Sequence, residues 1–160
     1  MPPQANRSTV NEDAQRRELL VLQAGPHLLG VFTEDVAGIA NGKSPAPLPR
    51  APASVLGVIA FRGRMLTVID PLQLLGDAAG TMETGIIVAL SGEEQLAITV
   101  DSSRGAIQVS PAEVEIADPD RAWEIFWGKL QRDGDRIDII DVSRLFRATM
   151  QQQERRRRRF

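Results

Sequence analysis

The chain has 160 residues, 42% of them hydrophobic and 25% charged, which leaves room for one ordinary domain or two small lobes that share a core. Cysteine is absent, so disulfides and thiolate chemistry are excluded. The formal net charge of −2 becomes −2 − 5 = −7 without the five consecutive arginines at residues 155–159, so an acidic body precedes a basic tail.

The first strand signals follow a polar N-terminal segment. Residues 1–17 lack the apolar core that a secretion signal needs, and this segment is predicted to be flexible. The apolar runs 19–22 and 28–32 flank a turn that contains Gly25 and Pro26, which predicts a β-hairpin. Because no stretch approaches about 18 consecutive apolar residues, we expect a cytoplasmic protein that does not span a membrane.

A proline-rich connection separates this hairpin from a second one. A short element is expected at residues 36–40. Residues 41–52 then form an extended connection, because proline lacks the amide donor that a sheet interior needs. The runs 55–61 and 65–69 are predicted to be two strands, and their tight turn uses Gly63, which adopts positive φ readily.

A short helix follows, and the pattern then recurs. Asp70 and Pro71 suit the N-cap and the first position of a helix that ends at Gly76. A further hairpin is predicted at residues 86–90 and 95–100. A shift of 71 positions aligns the two halves of the chain. The aligned pairs are Gly57 with Gly128, Gly63 with Gly134, Leu66 with Ile137, Val68 with Ile139, Ile69 with Ile140, Asp70 with Asp141 and Leu74 with Leu145.

This repeat favours two pseudo-equivalent small barrels, because closure removes the exposed edges of short sheets. We expect a flexible segment at residues 1–17, a domain at 18–150 with lobes at about 18–80 and 81–146, and a basic tail at 151–160. A single β-sandwich made of all the strands is the alternative architecture.

Few residues suit catalysis. The one histidine, His27, lies in the predicted hairpin turn, where an exposed surface residue is expected rather than a general base or metal ligand. Asp118 and Asp120 flank a proline and are interpreted as turn residues, and Asp70 and Asp141 as helix N-caps. We therefore predict no enzyme activity, no catalytic residue, no metal site, no cofactor and no small-molecule substrate.

The arginines at residues 155–159 make a nucleic-acid-binding barrel the alternative function. Small barrels that bind single strands use aromatic platforms on a basic face. Here the body is acidic and aromatics are only 4% of the residues, so we do not expect nucleic acid as a partner. We interpret the tail as solvated and disordered.

The aromatic side chains concentrate at Trp123, Phe126 and Trp127. Aromatic side chains most often pack in a protein core. We therefore predict that this stretch is a strand that covers the core of the second barrel. An exposed tryptophan here would instead mark a docking surface, and this remains the alternative.

Residues 49–70 resemble the signature of CheW-like domains. The segment contains Pro-x-x-Pro, Leu-Gly-Val, an Arg-Gly turn and Val-Ile-Asp, and Leu-Leu-Gly follows. In the second half, residues 96–101 are similar to the family's strand that ends in Val-Asp, and residues 134–141 to its closing strand. The resemblance runs from about Glu18 to Phe146. It implies an all-β fold of two five-stranded, SH3-like β-barrels that share a hydrophobic core and carry short helices.

The resemblance also implies a non-catalytic adaptor. Its expected partners are the regulatory domain of a CheA-type histidine kinase and the cytoplasmic tip of chemoreceptors. The adaptor would be connected to the membrane only through these receptors. By position, Val36 and Ile39 match the family's motif near the receptor-facing surface, and Arg62 matches the arginine of its Arg-Gly turn. Gly63 and Arg64 complete the partner-binding set.

One departure from the family pattern concerns this set. Gly38 stands where the motif has Glu, so the acidic partner expected for Arg62 is missing. Arg62 is then either free for a partner protein or paired with Glu34 or Asp35. The departure also leaves open a specialised pathway, such as gliding or pilus motility, and a domain that binds only one of the two usual partners.

Overall fold

The computed structural model describes residues 15–76, 85–117 and 125–158. Short 3₁₀ turns, Thr33–Asp35 and Pro111–Glu113, precede the strands that begin at Val36 and Val114. No helix in these ranges is both long and apolar enough to cross a membrane. The elements are β1 (Arg17–Ala24), β2 (His27–Phe32), β3 (Val36–Ala40), β4 (Val55–Phe61), β5 (Arg64–Ile69), α1 (Pro71–Leu74), β6 (Ile86–Leu90), β7 (Leu96–Val100), β8 (Ser102–Val109), β9 (Val114–Ile116), β10 (Phe126–Arg132), β11 (Asp135–Ile140) and α2 (Val142–Arg158).

The strands form two mixed sheets that are built alike. The larger sheet has six strands in the order β8-β1-β2-β11-β10-β9, and the smaller has five in the order β3-β6-β7-β5-β4. In each sheet two antiparallel hairpins are joined by one parallel pair, β2 with β11 and β7 with β5. The first hairpin of the chain therefore lies beside the last one.

The predicted lobes, about 18–80 and 81–146, do not match this arrangement. The strands of the larger sheet come from residues 17–32 and 102–140, and those of the smaller sheet from residues 36–100. The difference arises because the apolar pattern of a hairpin shows that it will be buried but does not show which other hairpin it will join.

The internal repeat is confirmed in three dimensions. The hairpins β4–β5 and β10–β11 have the same order of buried and exposed residues, and both are irregular at the aligned glycines. Their turns also match, with φ of 49° and 78° at Arg62 and Gly63 and of 53° and 81° at Asp133 and Gly134. Positive φ at both central residues gives the type I′ turn, whose twist suits a two-residue hairpin.

Both predicted helix N-caps are present. The Asp70 carboxylate accepts a hydrogen bond from the Leu72 amide at 3.0 Å, and the Asp141 carboxylate accepts one from the Ser143 amide, also at 3.0 Å. Each satisfies an amide that the first turn of the helix leaves without an intrahelical acceptor. The two acidic residues therefore serve the fold.

Three clusters of buried apolar side chains fill the molecule. One lies within the larger sheet and includes Leu19 and Ile139, and one lies within the smaller sheet and includes Ile59 and Ala97. The third is shared by both sheets and α2 and includes Leu145. A single sandwich would have one core between its sheets, whereas here each sheet also curls around a core of its own.

The all-β class and the shared core are confirmed, with one difference in detail. The larger sheet has six strands where five were predicted, and pairing among the described residues does not close either sheet. Each gap is instead bridged by an arginine side chain. Arg62 donates to the carbonyl of Ala37 on β3 at 2.9 Å, and Arg132 donates to that of Gln108 on β8 at 3.0 Å.

Three further expectations differ from the structure or lie outside it. His27 is the first residue of β2 and is half-buried rather than exposed, because the turn is confined to the two residues before it. The backbone of residues 151–158 continues helix α2, although a disordered tail was predicted. Phe126 packs against the shared core and Trp127 against that of the larger sheet, whereas Trp123 lies outside the described residues.

Candidate functional site

Strand β3 carries two of the predicted partner-binding residues, and it places them differently. Ile39 is 41% exposed, while the next residue, Ala40, is buried in the core of the smaller sheet. Val36, at the start of the strand, packs against the shared core and is only partly exposed. Ile39 is therefore available to a partner protein, whereas Val36 mainly anchors the strand.

The turn between β4 and β5 carries the other three predicted residues. Gly63 is exposed at the tip of the turn, and an arginine lies on each side of it. Arg62 donates to the carbonyl of Ala37, as described above, and Arg64 donates to the carbonyl of Gly92 at 2.9 Å. These bonds hold both guanidinium groups against the sheet while leaving the residues exposed.

The middle of β3 lies close to the end of β4, where Gly38 faces Phe61. A Cβ atom added to Gly38 would lie 2.7 Å from Phe61 Cζ and 3.3 Å from Arg62 Nη2. Arg62 also lies over the Phe61 ring, 4.9 Å from its centroid, which is cation–π geometry. The missing side chain at Gly38 thus makes the space that Phe61 and Arg62 occupy.

Lys43, from the proline-rich connection, completes this region. Its ammonium group donates to the carbonyl of Ala60 and lies 5.9 Å from the centroid of the Phe61 ring. We call the region formed by Ala37, Gly38, Lys43, Ala60, Phe61 and Arg62 the β3–β4 seam.

The structure answers the question of what Arg62 pairs with. Among the described residues, neither Glu34 nor Asp35 forms an ion pair with it, and Glu34 pairs with Arg17 instead. The partner of Arg62 is the neutral carbonyl of Ala37, and no carboxylate in the described part of the chain contacts its guanidinium group.

One exposed apolar side chain lies next to the seam, and another lies in the proline-rich connection. Met65, the cross-strand neighbour of Ala60, is 55% exposed, and Leu48 in the connection is 43% exposed. Sequence reasoning missed Met65 and Lys43. The alternation of β5, in which Leu66 and Val68 face the core, predicts that Met65 faces outward, whereas Lys43 lies in a segment without periodicity.

A second surface feature is a pocket of about 240 Å³ where the chain passes from the larger to the smaller sheet. Its lining includes Arg17, Phe32, Asp35, Trp127 and Asp141. The rings of Phe32 and Trp127 meet edge to face with centroids 5.6 Å apart, and the Arg17 guanidinium lies 3.5 Å from the Phe32 centroid. The pocket is therefore framed by packed aromatic rings and by charges of both signs.

Asp35 is the titratable group in this pocket whose surroundings change its acidity. Burial raises the pKa of the Asp35 carboxyl above its usual 3.8, and the neighbouring Glu34 carboxylate raises it further. Arg17 acts in the opposite direction but is a smaller influence. The charged form of Asp35 is thus disfavoured where β2 leads into β3.

Known proteins are similar to this chain over most of its length. The family model of the CheW-like domain matches residues 18–150. The chain is 27% identical over 153 residues to the protein FrzA of Myxococcus xanthus, covering 91% of this chain and 95% of the relative. It is 30% identical over 136 residues to the chemotaxis protein CheW of Rhizobium meliloti strain 1021, covering 81% and 87%.

A similar fold is known from a crystal structure. The scaffolding protein TtCheW from Thermoanaerobacter tengcongensis superimposes with a TM-score of 0.70 at 23% sequence identity. The match covers 78% of this chain and 88% of that protein. At this identity the likeness concerns the fold alone.

Proposed function

This chain belongs to the CheW-like domain family, and we propose that it is a non-catalytic scaffold that couples chemoreceptors to a CheA-type histidine kinase in a chemotaxis or motility pathway. The observation that carries the proposal is the family match over residues 18–150, which takes in both sheets and the shared core. The two curated relatives described above cover most of this chain, and one of them is named as a chemotaxis protein.

The surface next to the β3–β4 seam supports a docking role. Ile39 and Met65 expose apolar area beside the cationic groups of Lys43, Arg62 and Arg64. Exposed apolar side chains surrounded by polar or charged ones are typical of sites where proteins associate. We assign the receptor tip to this surface.

Scaffold function needs a rigid body more than it needs reactive groups. The shared core ties the two sheets together, so a partner bound to one sheet is held in a set orientation to a partner bound to the other. Signalling through such a body changes which state of the kinase is populated, and this chain would make and break no covalent bond.

The proposal is tested by separate titrations against the two partners encoded in the same genome. Isothermal calorimetry with the kinase regulatory domain and with a receptor-tip fragment should give binding to each, and size-exclusion chromatography of all three should give a single ternary complex. Binding of one partner alone would support the reading of a single-partner domain. No binding to either would contradict the proposal.

A pair of variants separates the docking surface from general charge effects. Arg62→Glu should weaken the receptor interaction, whereas Arg104→Glu makes the same charge change at an exposed residue on β8 of the larger sheet and should leave it unchanged. An electrophoretic shift of a labelled oligonucleotide that is lost when residues 155–160 are removed would instead favour the nucleic-acid alternative.

A further inference from the structure

We propose that helix α2 is a self-association surface, on which two copies of this chain pair their α2 helices antiparallel. Phe146 and Met150 of each copy then meet at the centre of the contact, and the arginine-rich end of each helix lies against the acidic pocket at the start of the other. The inference goes beyond the proposed function, because it concerns a contact between two copies of the chain rather than the partners of a scaffold.

The first observation is an apolar stripe on α2 that the fold leaves exposed. The helix packs against the shared core through Leu145, which is fully buried, and Thr149 is buried one turn further on. Phe146 is 37% and Met150 45% exposed, and residues four positions apart are neighbours on one side of a helix. Two large apolar side chains therefore lie together in water on the flank of α2.

The two ends of this stripe carry opposite charge. Ser143, one turn before Phe146, lines the pocket described above, which contains carboxylates. Position 157, two turns after Met150, belongs to the run of five arginines at residues 155–159. At 3.6 residues per turn, positions 143, 146, 150 and 157 fall on one side of the helix over a length of about 21 Å. The stripe is therefore acidic at its start, apolar in the middle and basic at its end.

The pocket contains a carboxylate that the chain itself does not neutralise. Arg17 pairs with Glu34, and Arg144 lies 3.8 Å from Asp141. The Asp35 side chain, in contrast, forms no ion pair or hydrogen bond with any residue in the described part of the chain. Burial and, after it, the carboxylates of Glu34 and Asp141 raise the pKa of Asp35, although Arg17 acts against them. A guanidinium group placed in this pocket would be the counter-charge that Asp35 lacks.

A second copy of the chain supplies that group in a symmetric way. The pocket lies at the start of α2 and the arginines at its end, and positions 143 and 157 are each seven residues from Met150. A two-fold axis at Met150 therefore places position 143 of one copy opposite position 157 of the other. Each charged contact is then made twice, and the two Met150 side chains meet on the axis. A parallel pairing would instead place like charges together at both ends.

The arginine run fits a second copy better than it fits an unrelated polyanion. Within one molecule it cannot reach the pocket, because the helical backbone holds residues 155–158 roughly 20 Å or more from the start of α2. Without residues 155–159 the chain has a net charge of −7, so a nucleic acid or an anionic membrane attracted to the arginines would be repelled by the rest of the chain. The same acidic body attracts the arginines of another copy.

Sedimentation velocity of the full chain at about 2 to 200 μM tests the pairing, because this range covers micromolar dissociation constants. The expected result is a concentration-dependent species of twice the chain mass of 17.5 kDa, and its population should fall as salt is added. A monomer at every concentration in low salt would overturn the proposal. A monomer that binds an oligonucleotide or anionic vesicles through residues 155–159 would also overturn it, because the arginines would then serve a different partner.

Matched variants locate the contact. Met150→Asp places carboxylates from both copies at the centre of an apolar contact and should weaken the dimer by about tenfold or more. Met65→Asp makes the same change at a more exposed methionine on β5 and should leave the dimer unchanged. Removal of residues 155–160 should weaken the dimer and abolish most of its salt dependence. Thermal melts check that each variant is folded, and a folded Met150→Asp variant that dimerises like the wild type would refute the pairing.

Cross-linking tests the antiparallel orientation, since the chain has no cysteine of its own. Paired helices lie about 8–10 Å apart, which a short bismaleimide linker spans. Met150→Cys should be cross-linked to a second copy of itself. Ser143→Cys should be cross-linked to Arg157→Cys when the two variants are mixed, and not to itself. Cross-linking of Ser143→Cys to itself, with none to Arg157→Cys, indicates a parallel pair and contradicts the proposal.

Discussion

Replacement of Gly57 by alanine tests whether the repeated glycine lets a neighbouring segment approach the sheet. Gly57 has φ of +149°, in a region that residues with a side chain rarely adopt. An added Cβ would lie 2.2 Å from the carbonyl oxygen of Ala46. Two backbone hydrogen bonds between Ala46 and Val58, each 2.9 Å long, form because Ala46 lies this close to β4. Gly57→Ala should therefore strain β4 and displace the connection.

The expected loss of stability is the sum of two effects. Backbone strain of this kind costs about 1–3 kcal/mol. Loss of the two hydrogen bonds costs about 1 kcal/mol each. Together they predict that the free energy of unfolding falls by about 3–5 kcal/mol, a large part of the roughly 5–15 kcal/mol by which a domain is normally stable.

Gly42→Ala is the matched control for conformational strain. Gly42 also has positive φ, +70°, but a Cβ there would meet no atom within 4 Å. Its left-handed backbone should cost alanine about 1 kcal/mol. Urea unfolding measures both variants, and hydrogen exchange of the Val58 amide reports on the displaced segment. A Gly57→Ala variant within about 1 kcal/mol of the control, with Val58 still protected, would refute the close-approach argument.

Three further predictions concern the shared core, a helix cap and the pocket. Leu145→Ala, at a fully buried side chain of the shared core, should lower the free energy of unfolding by about 2–5 kcal/mol in urea titrations, and a loss below about 1 kcal/mol would contradict that placement. Asp141→Ala removes the acceptor for the Ser143 amide and should cost about 1 kcal/mol in the same assay, whereas Asp141→Asn should restore most of it. Because the raised pKa of Asp35 means that the folded state keeps its proton to higher pH than the unfolded state does, ionisation opposes folding as the pH rises above 3.8. Asp35→Asn should therefore raise Tm at neutral pH and have little effect below pH 3.8, and a Tm difference independent of pH would count against this cause.

The parts of the fold that could be predicted from the sequence are those specified locally. The two hairpins with Gly63 and Gly134 in their turns, and the caps Asp70 and Asp141, depend on residue types within a few positions of one another. Strand β8 (Ser102–Val109) was missed because it is mostly exposed and shows no alternation, and its pairing with β1 defines it. The exchange of hairpins between the lobes was missed for the related reason that pairing partners are distant in the chain.

For the candidate site, sequence patterns located the residues better than they predicted the contacts. The resemblance pointed to Arg62 and Ile39, which lie at or beside the seam, and to Val36, which mainly packs against the shared core. The bond from Arg62 to the Ala37 carbonyl could not be predicted, because it depends on the curl that brings β3 to β4. The sequence showed only that Gly38 lacks the side chain that the family motif has at this position. The structure shows that Phe61 occupies the space.

Comparison of the two sheets separates structural need from function at the seam. Arg132 is the last residue of β10, and Arg62 is the turn residue that follows the repeat-related strand β4. Each reaches a carbonyl on the opposite edge of its sheet. Arg132 is also paired with Glu113, so its charge is neutralised, whereas Arg62 contacts no carboxylate of the described residues. Bridging a sheet gap therefore does not require an uncompensated cation. The free charge at Arg62 is unnecessary for the fold, and this is the physical reason to look for its counterpart on a partner protein.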